Sequence, residues 1–171
     1  MAPLVRRTWA PRGCTPVLMQ RGRSRRKVSV IGALVVSPRR SRVRAYFGFL
    51  PDANFDGESI LAFVRQLCRA LRAPIALIWD RLGAHMGEPV AAWLTANRHR
   101  VRAHLLPPYA PELNPVELIW GHTKSNPLAN FAPSQFDELL DQTQLATLAI
   151  GDDEPMLRSF LKHGPLSLCL K

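Results

Sequence analysis

An α/β fold is what the order of apolar patterns predicts, and two observations carry that prediction. The middle of the chain alternates short β-rich apolar runs with segments of helical periodicity, an order that implies strands paired in parallel and covered by helices. Pro and Gly clusters fall between these runs rather than inside them. With 171 residues and 47% hydrophobic content, the chain is of single-domain size and has material for a substantial core. One domain over residues 1–171 is expected, with a basic irregular segment over 1–27 and the core and C-terminal helices over 28–171.

Taken in order, residues 1–27 contain Pro3, Pro11, Pro16, Gly13 and Gly22, which favour irregular, extended chain. Val28–Val36 and Val43–Leu50 are β-rich runs, and the polar connection Ser37-Pro38-Arg39-Arg40-Ser41 between them suits an antiparallel hairpin. Beyond Pro51, the residues Ile60, Leu61, Val64, Leu67, Cys68 and Leu71 follow helical spacing, with Asp56 as N-cap and Pro74 as the stop. Ile75 to Asp80 reads as a strand, Glu88–Ala96 as a short helix and Val101–Leu105 as another strand. The last third is helical: Val116 to Lys124, a stretch from Ser134 with Phe136, Leu139, Leu140 and Leu148 inward, and Met156 to Lys162 with Leu157, Phe160 and Leu161 inward. Gly151-Asp152-Asp153-Glu154 is the densest acidic cluster and reads as a loop plus helix N-terminus rather than a metal site.

The net charge of +10 is unevenly placed, because residues 1–51 hold 12 Arg and Lys and no Asp or Glu. A block containing Arg21, Arg23, Arg25, Arg26 and Lys27, followed by Arg39, Arg40, Arg42 and Arg44, attracts a polyanion, and the bias to Arg favours bidentate contact with phosphate. Nucleic acid is the expected partner; solvated Arg-rich loops are the plainer alternative. Cys14, Cys68 and Cys169 lack paired-ligand spacing, so neither a disulfide framework nor a zinc site is indicated, and a reducing cytoplasm fits. No apolar run approaches the roughly 20 residues that span a bilayer, so no membrane partner is expected.

The stretch Leu105-Leu106-Pro107-Pro108-Tyr109-Ala110-Pro111-Glu112-Leu113-Asn114-Pro115-Val116-Glu117 carries the most information. Its prolines exclude helix and central strand until Glu117 opens an apolar helix, so it is a rigid connector ending in a placed carboxylate. Asp80 places a second carboxylate at the C-terminal end of a strand, where α/β proteins commonly build sites. Two such acids suggest a metal site. Each also has a structural reading: Glu117 as N3 of a capping box with Asn114 at N-cap and Pro115 at N1, and Asp80 as a turn residue ahead of Gly83.

Trp79-Asp80-Arg81-Leu82-Gly83-Ala84-His85, followed by LPPYAPELNPVELIW, resembles the catalytic half of the insertion-sequence 630 transposases, relatives of the Tc1/mariner group. Thr8-Trp9-Ala10-Pro11-Arg12-Gly13 and Val28-Ser29-Val30-Ile31-Gly32-Ala33-Leu34 resemble the stretch that in this family follows the first catalytic aspartate, which has no counterpart here. The resemblance implies a ribonuclease-H-like mixed sheet flanked by helices and lacking its first, central strand. It makes Asp80 and Glu117 the second and third acids of a DDE triad, holding two Mg²⁺ or Mn²⁺ ions about 4 Å apart for phosphodiester cleavage and strand transfer.

By the same resemblance, His85 approaches DNA phosphate or the metal shell, with a loop histidine bonded to backbone as the alternative. Lys124 would contact DNA, and Trp120 is expected in the core. Arg81 departs from the family pattern, which more often has Asn there; a cation at that point either binds substrate phosphate or weakens metal binding. Asp52, Asp56 and Glu58 read as turn and helix N-terminal charges rather than replacements for the missing acid.

The function implied is that of a transposase catalytic domain acting on transposon ends and target DNA in the bacterial cytoplasm, associated with the nucleoid. A late start, completion by an upstream-frame product and a decayed remnant all fit the incomplete triad, and a homo-oligomer is a further candidate partner. A non-catalytic DNA-binding remnant is the alternative from another class. An unrelated basic nucleic-acid-binding protein, with both acids structural, is a third.

Overall fold

The computed structural model describes residues 6–7, 9–17, 26–164 and 169–170. Arg21, Arg23 and Arg25 lie outside the described residues. Within the described parts of residues 1–27 the chain forms neither helix nor strand, as the prolines there imply.

β1 (Val28–Val36) and β2 (Val43–Pro51) form the expected antiparallel hairpin, in a register running from Val28 opposite Pro51 to Val36 opposite Val43. Ser37 organises the connection, its hydroxyl accepting from the N–H groups of Ser41 and Arg42 at 3.1 and 3.0 Å. Arg40 takes a left-handed conformation at φ 56°. Leu34 and Val36 of β1, with Val43, Ala45 and Phe47 of β2, join one core; Ile31 joins another on the opposite face.

α1 (Gly57–Leu71) begins at Asp56, whose carboxylate accepts from Ser59 N–H at 2.9 Å while the Ser59 hydroxyl accepts from Asp56 N–H at 2.8 Å. This reciprocal capping confirms Asp56 as the N-cap, and α1 ends in a left-handed Arg72 ahead of Pro74. Its buried residues include Phe63 besides the expected Ile60, Leu61, Val64 and Leu67. Phe63 faces Gly48 of the hairpin, where a Cβ would come within 3.3 Å of its ring.

β3 (Ile75–Trp79) and β4 (Val101–Leu105) pair in parallel, Ile75 opposite Val101 and Trp79 opposite Leu105, with α2 (Gly83–Met86) and α3 (Glu88–Ala96) in the crossover. Among the described residues the strands therefore form two separate two-stranded sheets, β1–β2 and β3–β4. α1 links them: Ile60, Leu61 and Val64 pack with Ile31 of β1 and with Leu77 and Trp79 of β3.

The proline connector contains one 3-10 turn at Pro111–Leu113, where backbone bonds from Leu113 to Ala110 and from Asn114 to Pro111 close the chain on itself. α4 (Val116–Ser125), α5 (Phe136–Asp152) and α6 (Glu154–His163) follow, and Ile119, Ile150, Leu157 and Leu161 pack with Val43 in the larger core. Trp120 lies against this core as expected, over Gly32, where a Cβ would meet its ring at 2.9 Å.

Two expectations need correction. Leu148 is exposed rather than inward. The buried face of α5 is Thr143, Ala146, Thr147 and Ile150, which is in phase with Leu139, whereas a residue nine positions after Leu139 falls on the opposite side at about 100° per residue. The acidic cluster is not a loop: α5 runs through Asp152, and Asp153 alone separates it from α6, its side chain accepting from Met156 N–H at 2.9 Å. Glu154 bonds across the fold to Val43 N–H at 3.1 Å.

Candidate metal and DNA site

Asp80 directly follows β3 and is half-exposed, with 46% of its side chain accessible. Its Oδ1 accepts from Leu82 N–H at 3.1 Å, the local turn that a short acidic side chain makes after a strand. The same oxygen meets Nδ1 of His85 at 2.7 Å. With an ionised carboxylate as acceptor, Nδ1 is the donor. Among the described residues Oδ2 has no hydrogen-bond partner. The turn reading of Asp80 and the ligand reading are thus compatible, since each uses a different oxygen.

His85 belongs to α2 rather than to a loop, and its ring bonds to Asp80 instead of to backbone. Only 14% of its side chain is accessible. The ring lies on the indole of Trp79, with centroids 4.6 Å apart and planes within 8° of parallel. Trp79 is itself buried, and among the described residues its Nε1 finds no acceptor. A buried donor left unmet costs about 1–3 kcal/mol. Reading the sequence for site residues misses Trp79; the only signal is an aromatic immediately before the aspartate and six positions before the histidine.

Arg81 is exposed and donates through Nε to the carbonyl of Leu106 at 3.0 Å, tying the end of β3 to the end of β4. Its position beside Asp80 is therefore held by the sheet.

Glu117 sits in the first turn of α4, exposed. The expected capping box does not form. Asn114 Oδ1 accepts from Val116 N–H at 3.2 Å instead of from Glu117, and Asn114 N–H donates to the carbonyl of Pro111. The 3-10 turn satisfies that N–H locally, so the Glu117 carboxylate is left without a hydrogen bond among the described residues. Lys124 lies two turns further along α4, exposed, at the rim of a recess of about 190 Å³ lined in part by Val28, Val30, Leu128 and Leu139.

Of the basic candidates, Arg26 and Lys27 are built into the fold. Arg26 Nε donates to Asp52 at 2.6 Å and its guanidinium covers Phe136 at 3.8 Å. Lys27 donates from its backbone to Asp52 at 3.1 Å and through Nζ to Asn54 at 2.5 Å. Asp52 is thus a turn charge, as expected, and Asp56 is the α1 cap. A further arginine, Arg6, docks on the C-terminal end of α4: Nη1 donates to the carbonyl of Ser125, and the Asn130 amide both accepts from Arg6 N–H at 2.7 Å and donates to its carbonyl at 3.0 Å. A cation there suits the negative end of the helix dipole.

As a donor set for a hard cation, Asp80 Oδ2 and the Glu117 carboxylate have the right chemistry, because Mg²⁺ is commonly held by one or two carboxylates together with substrate phosphate. The structure brings Asp80 and His85 together; among the described residues no group of three or more His, Cys, Asp or Glu converges on one point. Cys14, Cys68 and Cys169 are free thiols, and burial pushes that of Cys68 upward. Among the described residues no helix is long and apolar enough to cross a membrane.

The fold is shared with known transposase structures. The Mos1 mariner paired end complex with Mn matches with a TM-score of 0.65 and 17% identity over 95% of this chain and 48% of that one. The Mos1 strand transfer complex gives 0.61 and 17% over 94% and 47%, and the Mos1 paired-end complex with left transposon end gives 0.59 and 18% over 96% and 48%. The chain spans about half the length of these relatives, and the likeness confirms a ribonuclease-H-like α/β architecture. No curated protein sequence matches it. The family model described as DDE superfamily endonuclease matches residues 2–140. On that match over most of its length, the chain belongs to the DDE superfamily endonucleases.

Proposed function

We propose that this chain is catalytic-domain material of an insertion-sequence 630 type transposase, serving metal-dependent cleavage of DNA at transposon ends and transfer of the freed strand to a target. The observation that carries this reading is the pair of acids at the family-matching positions, each with carboxylate oxygen unengaged among the described residues: Asp80 through Oδ2 and Glu117 through both oxygens. A bound Mg²⁺ or Mn²⁺ would activate the attacking oxygen and stabilise the leaving one. Asp80 and Glu117 hold the metal, and His85 fixes Asp80 from behind. Arg81, Lys124 and the N-terminal basic residues Arg21, Arg23, Arg25, Arg26 and Lys27 neutralise phosphate without reading sequence.

The first aspartate of the family pattern has no match in residues 1–171. On this reading, activity needs a further acid to complete a triad with Asp80 and Glu117. A second reading, a non-catalytic DNA-binding remnant, draws on the absence of a three-residue donor cluster among the described residues.

The test is a Mn²⁺ titration of the parent chain and of Asp80→Asn and Glu117→Gln, with electrophoretic mobility shifts on duplex DNA at two salt concentrations. The catalytic-domain reading requires Mn²⁺ binding that each substitution weakens. Salt-sensitive DNA binding that survives both substitutions, with no Mn²⁺ binding in the parent, selects the remnant.

A further inference from the structure

We propose that Trp79 is a positioning residue for the candidate metal site: it sets the plane of the His85 imidazole, and through it the rotation of the Asp80 carboxylate. The metal consequence rests on the reading of Asp80 as a ligand; the positioning itself rests on geometry. Trp79 is the last residue of β3, 8% exposed, and shares its core with Ile60, Leu61 and Val64 of α1 and Val90 of α3. Two helices therefore fix the indole. His85, by contrast, is carried by a four-residue helix that starts at Gly83 without a side-chain cap. One helical turn is too short to hold its own shape; Ala84 seats α2 on the same core and His85 N–H donates to the Leu82 carbonyl at 2.8 Å, but these place the backbone and do not set the plane of the ring. The stack does: the imidazole lies within 8° of the indole plane at 4.6 Å.

Held this way, Nδ1 reaches Asp80 Oδ1 at 2.7 Å, and Leu82 N–H reaches the same oxygen at 3.1 Å. Two donors on one oxygen fix the carboxylate's rotation and, among the described residues, leave Oδ2 as the donor atom without a hydrogen-bond partner. Asp80 is thereby prepared as a monodentate ligand, with its orienting partner on the opposite oxygen. The unmet Nε1 of Trp79 points the same way. A phenyl ring would fill the end of β3 without that buried donor but would cover less of the imidazole.

The experiment uses the full chain with Trp79→Phe, Trp79→Leu, His85→Phe and His85→Asn, each also checked for cooperative unfolding. Two readouts are taken at one fixed pH: Mn²⁺ affinity by calorimetry, and the ring-nitrogen resonances of His85 in ¹⁵N-labelled protein, which report the nitrogen that carries the proton. Trp79→Phe should lower Mn²⁺ affinity by about tenfold or more, in line with losses at residues that orient ligands, and should weaken the Nδ1–H signature. His85→Phe should match that loss. His85→Asn, whose amide restores a donor near the Nδ1 position, should recover most of the affinity, and adding Trp79→Phe to it should cost nothing further.

Equal loss for Trp79→Phe in the His85→Asn background would overturn the proposal, because the indole would then act on packing alone. So would an unchanged Nδ1–H signature in folded Trp79→Phe. Should the parent chain bind no Mn²⁺, the metal reading fails, and the His85 signature alone decides: its loss in Trp79→Phe upholds the positioning of Asp80, and its persistence overturns it. Trp79→Leu serves as the larger perturbation wherever it folds.

Discussion

The antiparallel half and the parallel half of the molecule are built to different standards of burial. The β1–β2 hairpin is packed on both faces, by α1 through Ile31 and by α4, α5 and α6 through Val43, Ala45 and Phe47. Among the described residues the β3–β4 pair is packed mainly on one face: Leu77 and Trp79 join the α1 and α3 core, whereas Ile78 on the other face is 61% exposed. The candidate chemistry sits at the end of the less covered half, on Asp80. The more fully covered sheet and the candidate chemistry are thus separate, with α1 joining the two sheets.

The largest break in this comparison comes from hollowing the covered half. Ile119 is fully buried beneath the hairpin, and Ile119→Ala should cost about 2–5 kcal/mol, read as the shift of the urea unfolding midpoint. A loss below about 1 kcal/mol would mean that the two halves do not differ in packing as described. Next in size is Gly32→Ala, whose new methyl would sit 2.9 Å from the Trp120 ring and 3.2 Å from that of Phe47. Overpacking of this kind costs about 1–3 kcal/mol, and pairing it with Trp120→Phe should return part of the loss.

A smaller effect comes through pH. The N–H of Val43, followed by Arg158, holds the Glu154 carboxyl below the ordinary carboxylate range; the Ser59 hydroxyl and N–H do the same for Asp56. Both folded-state values are depressed. Each group therefore adds stability above its unfolded value, about 4.3 for Glu and 3.9 for Asp, and loses it as pH falls through the folded value. Thermal scans should be level near neutrality and decline below about pH 4, and Glu154→Gln and Asp56→Asn should each flatten that decline. The smallest expected effect sharpens the contrast from the other side: Ile78→Ala, on the open face of β3, should change stability by no more than about 0.5 kcal/mol.

What the sequence made legible is local. β-rich runs with a polar connection define the hairpin, and the spacing from Ile60 to Leu71 defines α1, with Asp56 capping as its residue type implies. The parallel pairing of Ile75–Trp79 with Val101–Leu105 follows from the helix between them. The contacts that close over long separations were not legible. Glu154 meets Val43 across 111 positions, and Arg6 meets Asn130 across 124; no periodicity or cap signals either.

At the candidate site, the motif singled out Asp80, His85 and Glu117, and geometry removed the structural alternatives for two of them. The residues Asn114-Pro115-Val116-Glu117 have capping-box chemistry, yet the turn at Pro111–Leu113 takes up the Asn114 N–H and removes the need for Glu117. His85 engages Asp80 with its ring stacked on Trp79, and the four residues of α2 are too few to show a helical pattern in sequence.

The four tryptophans of the chain occupy four different surroundings. Trp9 is fully exposed, Trp93 is half-buried near the Arg65 guanidinium, Trp120 is half-buried over Gly32, and Trp79 is buried face to face with an imidazole. The exposed indole of Trp9 emits to the red of the buried indole of Trp79, whose surroundings change when the His85 stack opens. The protein thus carries its own optical gauge of the end of β3, read without any added label.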